Sequence, residues 1–180
     1  MMKTALYIAI AVSLLLVGCE SKPSLQKFFV DNQEKKDFIA LDVSPSILNV
    51  DKATLTGEQK SALESFKKMN IIAFKKDGKN NAEYEVEKAK LNTVLKDEKY
   101  QQLMKFGSGS EGASVSFVGT EDNIEEFIFY ANKKENGFAV VRVIGDQMNP
   151  NDVMTMLSVL QKSNIDMEQL KPLQGLLKKL

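Results

Sequence analysis

Residues 114–145, SVSFVGTEDNIEEFIFYANKKENGFAVVRVIG, decide the fold of this chain. Three runs within them, 114–118, 124–131 and 138–145, are rich in apolar and β-branched residues and tend to alternate, as strands with one buried face do. Short polar segments join the runs, and the second segment ends in Asn136-Gly137, the strongest short-range hairpin signal. Strands joined this tightly pair antiparallel. The sequence therefore predicts a three-stranded antiparallel meander.

The segments before the meander switch between helical and strand patterns. Residues 38–43 alternate and residues 69–74 form a continuous apolar run, so both are predicted strands, and the second belongs inside the sheet. Helices are predicted over residues 24–35, after the capping signal at Thr56, and over residues 83–104, where the alternative is a break near Asp97.

The last third of the chain completes the predicted domain. Residues 104–106 could start an extra strand, and a final helix is predicted to begin at Pro150. We expect a single α+β domain over residues 24–165, with an antiparallel-rich sheet of five or six strands and helices packed on one face. The amphipathic tail, residues 166–180, could lie on a membrane surface or on a partner, although terminal segments usually dock on their own domain or fray.

The amino terminus has the pattern of a targeting segment. Residues 5–17 form an apolar run that is shorter than the roughly 20 residues needed to span a bilayer and is typical of a secretory signal. Leu16-Val17-Gly18-Cys19 follows and resembles a bacterial lipobox. The resemblance implies a signal peptide over residues 1–18, a lipid on Cys19 and a tether over residues 19–23. The alternative is an ordinary secretory signal with a chance cysteine.

A lipid on Cys19 would determine where the protein works. It would hold the domain on a membrane of the cell envelope, outside the cytoplasm, without a transmembrane helix. Glu20 is not the aspartate associated with inner-membrane retention in some bacteria, which favours the outer membrane. The expected partners are this membrane and an envelope protein.

The composition excludes several classes of function. Lysine and arginine number 24, aspartate and glutamate number 24, and the chain has one cysteine and no histidine. Chemistry that needs an imidazole or an internal disulfide is therefore impossible. Zero net charge argues against a nucleic-acid partner, which needs a basic face. We expect no enzymatic activity, no metal and no cofactor.

Several short motifs match functional patterns, and each has a structural alternative. Residues 107–112 read G-x-G-x-x-G, but the pattern after them is that of a strand, so a loop is expected rather than a dinucleotide site. Ser24 and Ser65 each begin S-x-x-K, and Ser24 is better explained as a helix cap. The oxygen-rich stretch 146–152 lacks calcium-loop spacing and fits a helix start.

Arg142 is the only arginine in the chain. It would point to one side of its strand, while Val141 and Val143 point to the other. The expected environment is solvent or an ion pair, and the alternative is a contact with a single anion.

The order of these elements looks like one known family. Its most specific pieces here are Ser24–Phe29, Leu95–Met104 and Phe127–Val143, within a likeness that covers residues 24–163. The family is that of small envelope lipoproteins of Bacteroidetes-type bacteria, domain of unknown function family 4252. The resemblance implies an envelope location and brings no catalytic residues.

Three functions remain open from the sequence. The first is a non-catalytic envelope module that binds another protein or supports an assembly. The second is a lipoprotein that binds or senses a small ligand, which a large apolar cavity near Arg142 or Tyr130 would favour. The third is a hydrolase, for which no pair of carboxylates can be named.

Overall fold

The computed structural model describes residues 22–108, 111–162 and 164–165. The predicted signal peptide, Cys19 and the tail 166–180 lie outside the described residues. Within the described ranges the helices are α1 (Leu25–Asn32), α2 (Gly57–Ser65), α3 (Asn81–Leu95) and α4 (Pro150–Lys162), with 3-10 turns at Pro45–Ile47 and Lys52–Thr54. The strands are β1 (Phe38–Val43), β2 (Leu48–Asn49), β3 (Phe66–Lys75), β4 (Gln101–Ser108), β5 (Glu111–Thr120), β6 (Asn123–Lys133), β7 (Gly137–Met148) and β8 (Asn164–Ile165).

Six of these strands form one antiparallel sheet. Its order is β1-β3-β7-β6-β5-β4, and β2 pairs with β8 in a separate short ladder. The predicted meander is present as β5, β6 and β7, and β3 has a neighbour on each side, as its apolar run predicts. The predicted α+β class is confirmed.

Alternate residues of each strand point to opposite sides, which gives the sheet two faces. The aromatic face carries Phe38, Phe74 and Phe138, with ring centroids 5.1 Å apart for Phe38 and Phe74 and 5.6 Å apart for Phe74 and Phe138. α1 adds Phe28 and α3 adds Tyr84 to this core. α1 and α3 therefore cover these strand residues with large aromatic side chains of their own.

The opposite face is called the alanine face, because four alanines lie in register on neighbouring strands: Ala73, Ala139, Ala131 and Ala113. Leu63 of α2 and Val159 of α4 pack here against Leu41 and Ile71. The expectation that the helices pack on one face is thus wrong. The odd-numbered residues of β1 and β3 are as apolar as the even-numbered ones, so both faces of the sheet need cover.

The predicted helix over residues 83–104 is wrong beyond Leu95, whereas the alternative of a break near Asp97 agrees with the turn found there. α3 ends at Leu95, and hydrogen bonds from Asp97 N–H to Val94 O and from Tyr100 N–H to Asp97 O turn the chain. Residues 101–108 then pair with β5 as the edge strand β4. The helical spacing of Tyr100 and Leu103 is overridden by this pairing, since strand preference depends on tertiary context.

Local signals set several element ends as predicted. The Thr56 hydroxyl accepts from Gln59 N–H while the Gln59 side chain accepts from Thr56 N–H, a complete capping box. Gly137 opens β7 with φ at 121°, and a Cβ there would lie 1.9 Å from Phe74 O. Only glycine fits this turn. No described helix is long and apolar enough to cross a membrane.

Candidate functional site

A groove of about 390 Å³ lies between α1 and α3. Pro23 and Ser24, just before α1, contribute to its lining, and Phe28 and Val94 provide an apolar wall. The Ser24 hydroxyl accepts from Lys27 N–H at 3.2 Å and caps α1 as predicted. The groove therefore lies beside the start of α1.

Glu87 is a buried carboxylate in the groove lining, with an exposed fraction of 3%. Its Oε1 accepts from Lys35 Nζ and from Lys90 Nζ, both at 3.0 Å. Burial by itself would raise the pKa of Glu87, but the hydrogen bonds from Lys90 and Lys35 outweigh it and hold the pKa below the ordinary 4.5. The carboxylate is therefore ionised at neutral pH.

Two buried oxygens in the groove lining have no hydrogen-bond donor among the described residues. They are Glu87 Oε2 and Asn32 Oδ1, although Asn32 Nδ2 donates to Phe28 O at 2.8 Å. An unmatched buried acceptor costs about 1–3 kcal/mol. A bound molecule or water that donates hydrogen bonds here would recover this free energy.

The charges of the groove do not cancel. Lys27, Lys35 and Lys90 face two carboxylates, Asp31 and Glu87, which leaves one positive charge in excess. Lys27 and Asp31 form an exposed pair at 3.3 Å. The groove thus combines buried acceptors with ammonium groups that remain about half exposed, and it can hold a group that is both anionic and a hydrogen-bond donor.

Arg142 lies on the aromatic face and outside the groove. Its Nε donates to Glu126 Oε2 at 2.7 Å, its Nη2 donates to the other carboxylate oxygen, and its Nη1 donates to Gln26 Oε1 at 2.5 Å. The structure therefore supports the ion-pair interpretation. Glu126 therefore supplies the anionic partner of this guanidinium.

Tyr130 lies beside a smaller pocket of about 160 Å³, which also includes Lys88, Ser114 and Asn132. Burial, together with the nearby Tyr84, raises the pKa of Tyr130 to about 12. This volume is below the roughly 300–1,000 Å³ of typical small-molecule sites. The pocket beside Tyr130 is therefore smaller than the large cavity that would favour a ligand-binding function.

The residues of the other sequence motifs take part in strand pairing, an ion pair and a helix start. Residues 107–108 of β4 pair with residues 111–112 of β5, and a strand follows them instead of the helix that a dinucleotide site needs. Asp146 pairs with Lys67 at 3.0 Å, and Asn149 N–H donates to Asp152 Oδ2 at 2.7 Å at the start of α4. Among the described residues no group of three acidic or cysteine side chains could hold a metal.

Sequence reasoning missed Glu87 and Asn32. The available signal for Glu87 was its place in the helical stripe of Tyr84, Leu91 and Val94, where a charged residue interrupts apolar positions. Its two lysine partners gave a weaker signal. Lys90 is three residues further on the same helix, whereas Lys35 comes from a distant part of the sequence.

Comparison with known proteins gives a family and no closer relative. The sequence matches the family described as "Domain of unknown function (DUF4252)" over residues 29–156. The match begins within α1 and ends within α4, so Asn32, Glu87 and Arg142 all lie inside it. No curated protein and no solved structure matches the chain.

Proposed function

Because the chain belongs to the DUF4252 family, whose description names no activity, we propose a function from the groove itself. The protein is a lipid-anchored module of the bacterial cell envelope that binds a partner protein between α1 and α3 and catalyses no reaction. The observation that carries this proposal is the pair of buried, donor-free oxygens of Asn32 and Glu87 beneath exposed lysines.

The partner's chemistry follows from the groove. A peptide backbone supplies N–H donors for the buried acceptors, and an acidic side chain of the partner meets the excess positive charge of the lysines. Val30 of α1 is 55% exposed and Val86 of α3 is 52% exposed, so apolar contact area is available on the same two helices. The partner is therefore an acidic polypeptide segment.

The position of the groove relative to the tether supports a membrane-bound role. Pro23 lines the groove and is four residues after Cys19. An extended chain of that length reaches about 14 Å. A lipid on Cys19 would therefore keep the bound partner close to the membrane surface.

A second candidate function is the binding of a small ligand in the same groove. Its volume of about 390 Å³ is within the range of small-molecule sites. A ligand with a carboxylate and hydroxyl or amine donors would satisfy the same groups.

The test places a photo-crosslinking residue at Thr93, an exposed residue of the groove lining, in the lipidated protein in living cells. The matched control is Lys60, which is exposed on α2 at the other face of the sheet. We expect one dominant protein adduct from position 93, its loss in a Lys90→Glu background, and its reduction in the unlipidated Cys19→Ala form.

Two results would contradict protein binding. Identical adducts from positions 93 and 60 would show that the contact is not specific to the groove. If position 93 gives no protein adduct but the purified protein gains thermal stability from the small-molecule fraction of a cell extract, and Lys90→Glu abolishes that gain, the ligand-binding function replaces it.

A further inference from the structure

The pocket beside Tyr130 lies on the aromatic face, between α3 and the outer strands β4 to β6. Val140 of β7 belongs to the buried core on this face. From Val140 toward β4, the residues paired across the sheet are Tyr130, Ser114 and Lys105. This row is therefore apolar at the centre of the sheet and polar toward its edge, and its polar end forms one wall of the pocket.

Two glycines keep the space beside this row free of side chains. Gly107 and Gly112 pair with each other in the next row, on the same side of the sheet. They are the first and last glycines of the G-x-G-x-x-G match. Gly107 has φ at 69°, and a Cβ there would lie 2.6 Å from the backbone oxygen of residue 111, so glycine is required at this position.

α3 supplies the opposite wall of the pocket. Tyr84, Lys88 and Asn92 follow one another at intervals of four residues, so they lie along one side of the helix. Lys88 and Asn92 line the pocket. Lys88 Nζ lies 5.4 Å from the centre of the Tyr84 ring. An ammonium group from α3 therefore lies on the opposite wall from Lys105.

The lining of the pocket carries more positive than negative charge. Its lysines are Lys88 and Lys105, and its acidic residue is Glu111. Glu111 comes directly before Gly112, so the alternation of the strand directs its side chain toward the alanine face. Neither lysine forms an ion pair with a described carboxylate. The two ammonium groups are therefore available to an anion.

The hydroxyl of Tyr130 is a buried hydrogen-bond donor that has no acceptor among the described residues. The hydroxyl of the nearby Tyr84 is likewise buried without a described partner. Because burial raises the pKa of Tyr130 to about 12, its phenol keeps its proton at neutral pH. A buried polar group without a partner costs free energy, which an acceptor bound in the pocket would recover.

We propose that this pocket binds a phosphate group between Lys88 and Lys105, with the hydroxyls of Ser114 and Tyr130 as further donors. A phosphate group has more acceptor oxygens than a carboxylate, and lysine binds it as a point charge. The volume of about 160 Å³ equals that of about five water molecules at roughly 30 Å³ each, so it admits one phosphate group and excludes a drug-sized ligand. This site is separate from the groove between α1 and α3 and does not depend on its function.

The experiment titrates inorganic phosphate into the full protein, purified in detergent, and measures the heat of binding by calorimetry. We expect Lys105→Gln to weaken phosphate binding about tenfold and Tyr130→Phe to weaken it about threefold. Lys60→Gln removes the same charge at an exposed position of α2 and is the matched control, with unchanged affinity. Tyr130→Phe should not lower the thermal stability of the phosphate-free protein, because the hydroxyl that it removes has no described partner.

Four results would overturn the proposal. The first is the absence of a saturable heat of binding. The second is an equal loss of affinity in Lys105→Gln and Lys60→Gln, which would show a response to overall charge only. The third is a loss in Lys90→Gln instead of Lys105→Gln, which would place the phosphate in the groove. The fourth is binding of acetate as tight as that of phosphate, which would show that the pocket does not select phosphate.

A second titration identifies the source of the phosphate group. Short-chain phosphatidic acid is added to the protein saturated with inorganic phosphate. Displacement that Lys105→Gln weakens shows that the site accepts a phospholipid head group. Binding of inorganic phosphate without such displacement shows that it accepts a soluble phosphate compound. Both results support a phosphate site.

Discussion

The two faces of the sheet share the same strands and register but differ in side-chain size. The aromatic face places the rings of Phe38, Phe74 and Phe138 beneath α1 and α3. The alanine face places alanines in a row of four, and Leu63 of α2 and Val159 of α4 are among the described side chains that pack on this face. Apolar area buried from water is the main source of stability, so the large rings of the aromatic face should contribute more to the stability of the fold than the row of alanines.

The largest expected effect compares one phenylalanine from each face. Phe74→Ala removes a fully buried ring that contacts Phe38, Tyr84 and Phe138, and we expect a loss of about 3–5 kcal/mol in the free energy of unfolding. Phe129→Ala removes a half-buried ring from the alanine face, and we expect a loss of about 1–2 kcal/mol. Urea unfolding of both variants measures the difference, provided that the free energy of unfolding depends on urea concentration with the same slope in both. Equal losses would mean that the two faces contribute alike.

The second comparison concerns charge on the aromatic side of the molecule. Glu87→Gln leaves Lys35 and Lys90 without their shared carboxylate, and we expect a loss of about 1–2 kcal/mol at pH 7, since both lysines are partly solvated. Asp42→Asn is the matched control, because the pKa of Asp42 is also lowered, first by the hydrogen bond from Lys68, but the pair is exposed. Its loss should be below about 0.5 kcal/mol.

The pH dependence of Glu87 has a definite sign. Its pKa is lower in the folded protein than the ordinary 4.5 of the unfolded chain, so its contribution is complete above about pH 4.5 and is lost as the pH falls through the folded value. Unfolding titrations between pH 7 and pH 3 should therefore show a shallower decline for Glu87→Gln than for the unchanged protein. Parallel curves would show that Glu87 is not the group responsible.

The parts of the fold that the sequence predicts are those set by local signals. The Thr56 capping box, the Asn136-Gly137 turn and the period-two pattern of β6 and β7 each act within a few residues. Their elements were placed correctly for that reason. β4 was predicted only in part, as a strand that could start at residues 104–106, because its pairing with β5 is a tertiary interaction that helical spacing at Tyr100 does not reveal.

The groove was not predictable for a similar reason. Lys35 and Glu87 are far apart in the sequence and meet only when α1 and α3 pack side by side. The packing of helices on both faces of the sheet was missed as well, although Ile39, Leu41 and Ile71 made the second face of β1 and β3 apolar. A sequence pattern shows which faces need cover, but it does not assign a helix to each of them.

The smallest expected effect concerns the ion pair that Arg142 of β7 forms with Glu126 of β6. The side chains of Arg142 and Glu126 are 13% and 19% exposed and form a bidentate ion pair. Because Arg142→Lys loses one of the two hydrogen bonds, it should lower the free energy of unfolding by about 1 kcal/mol. A double-mutant cycle with Glu126→Gln should give a coupling of about 0.5–1 kcal/mol. The exposed pair Lys67 and Asp146 is the control, with a coupling near zero. If sulfate stabilises the unchanged protein but not Arg142→Lys, then the anion competes successfully with Glu126, and the anion contact predicted as the alternative for Arg142 is the correct one.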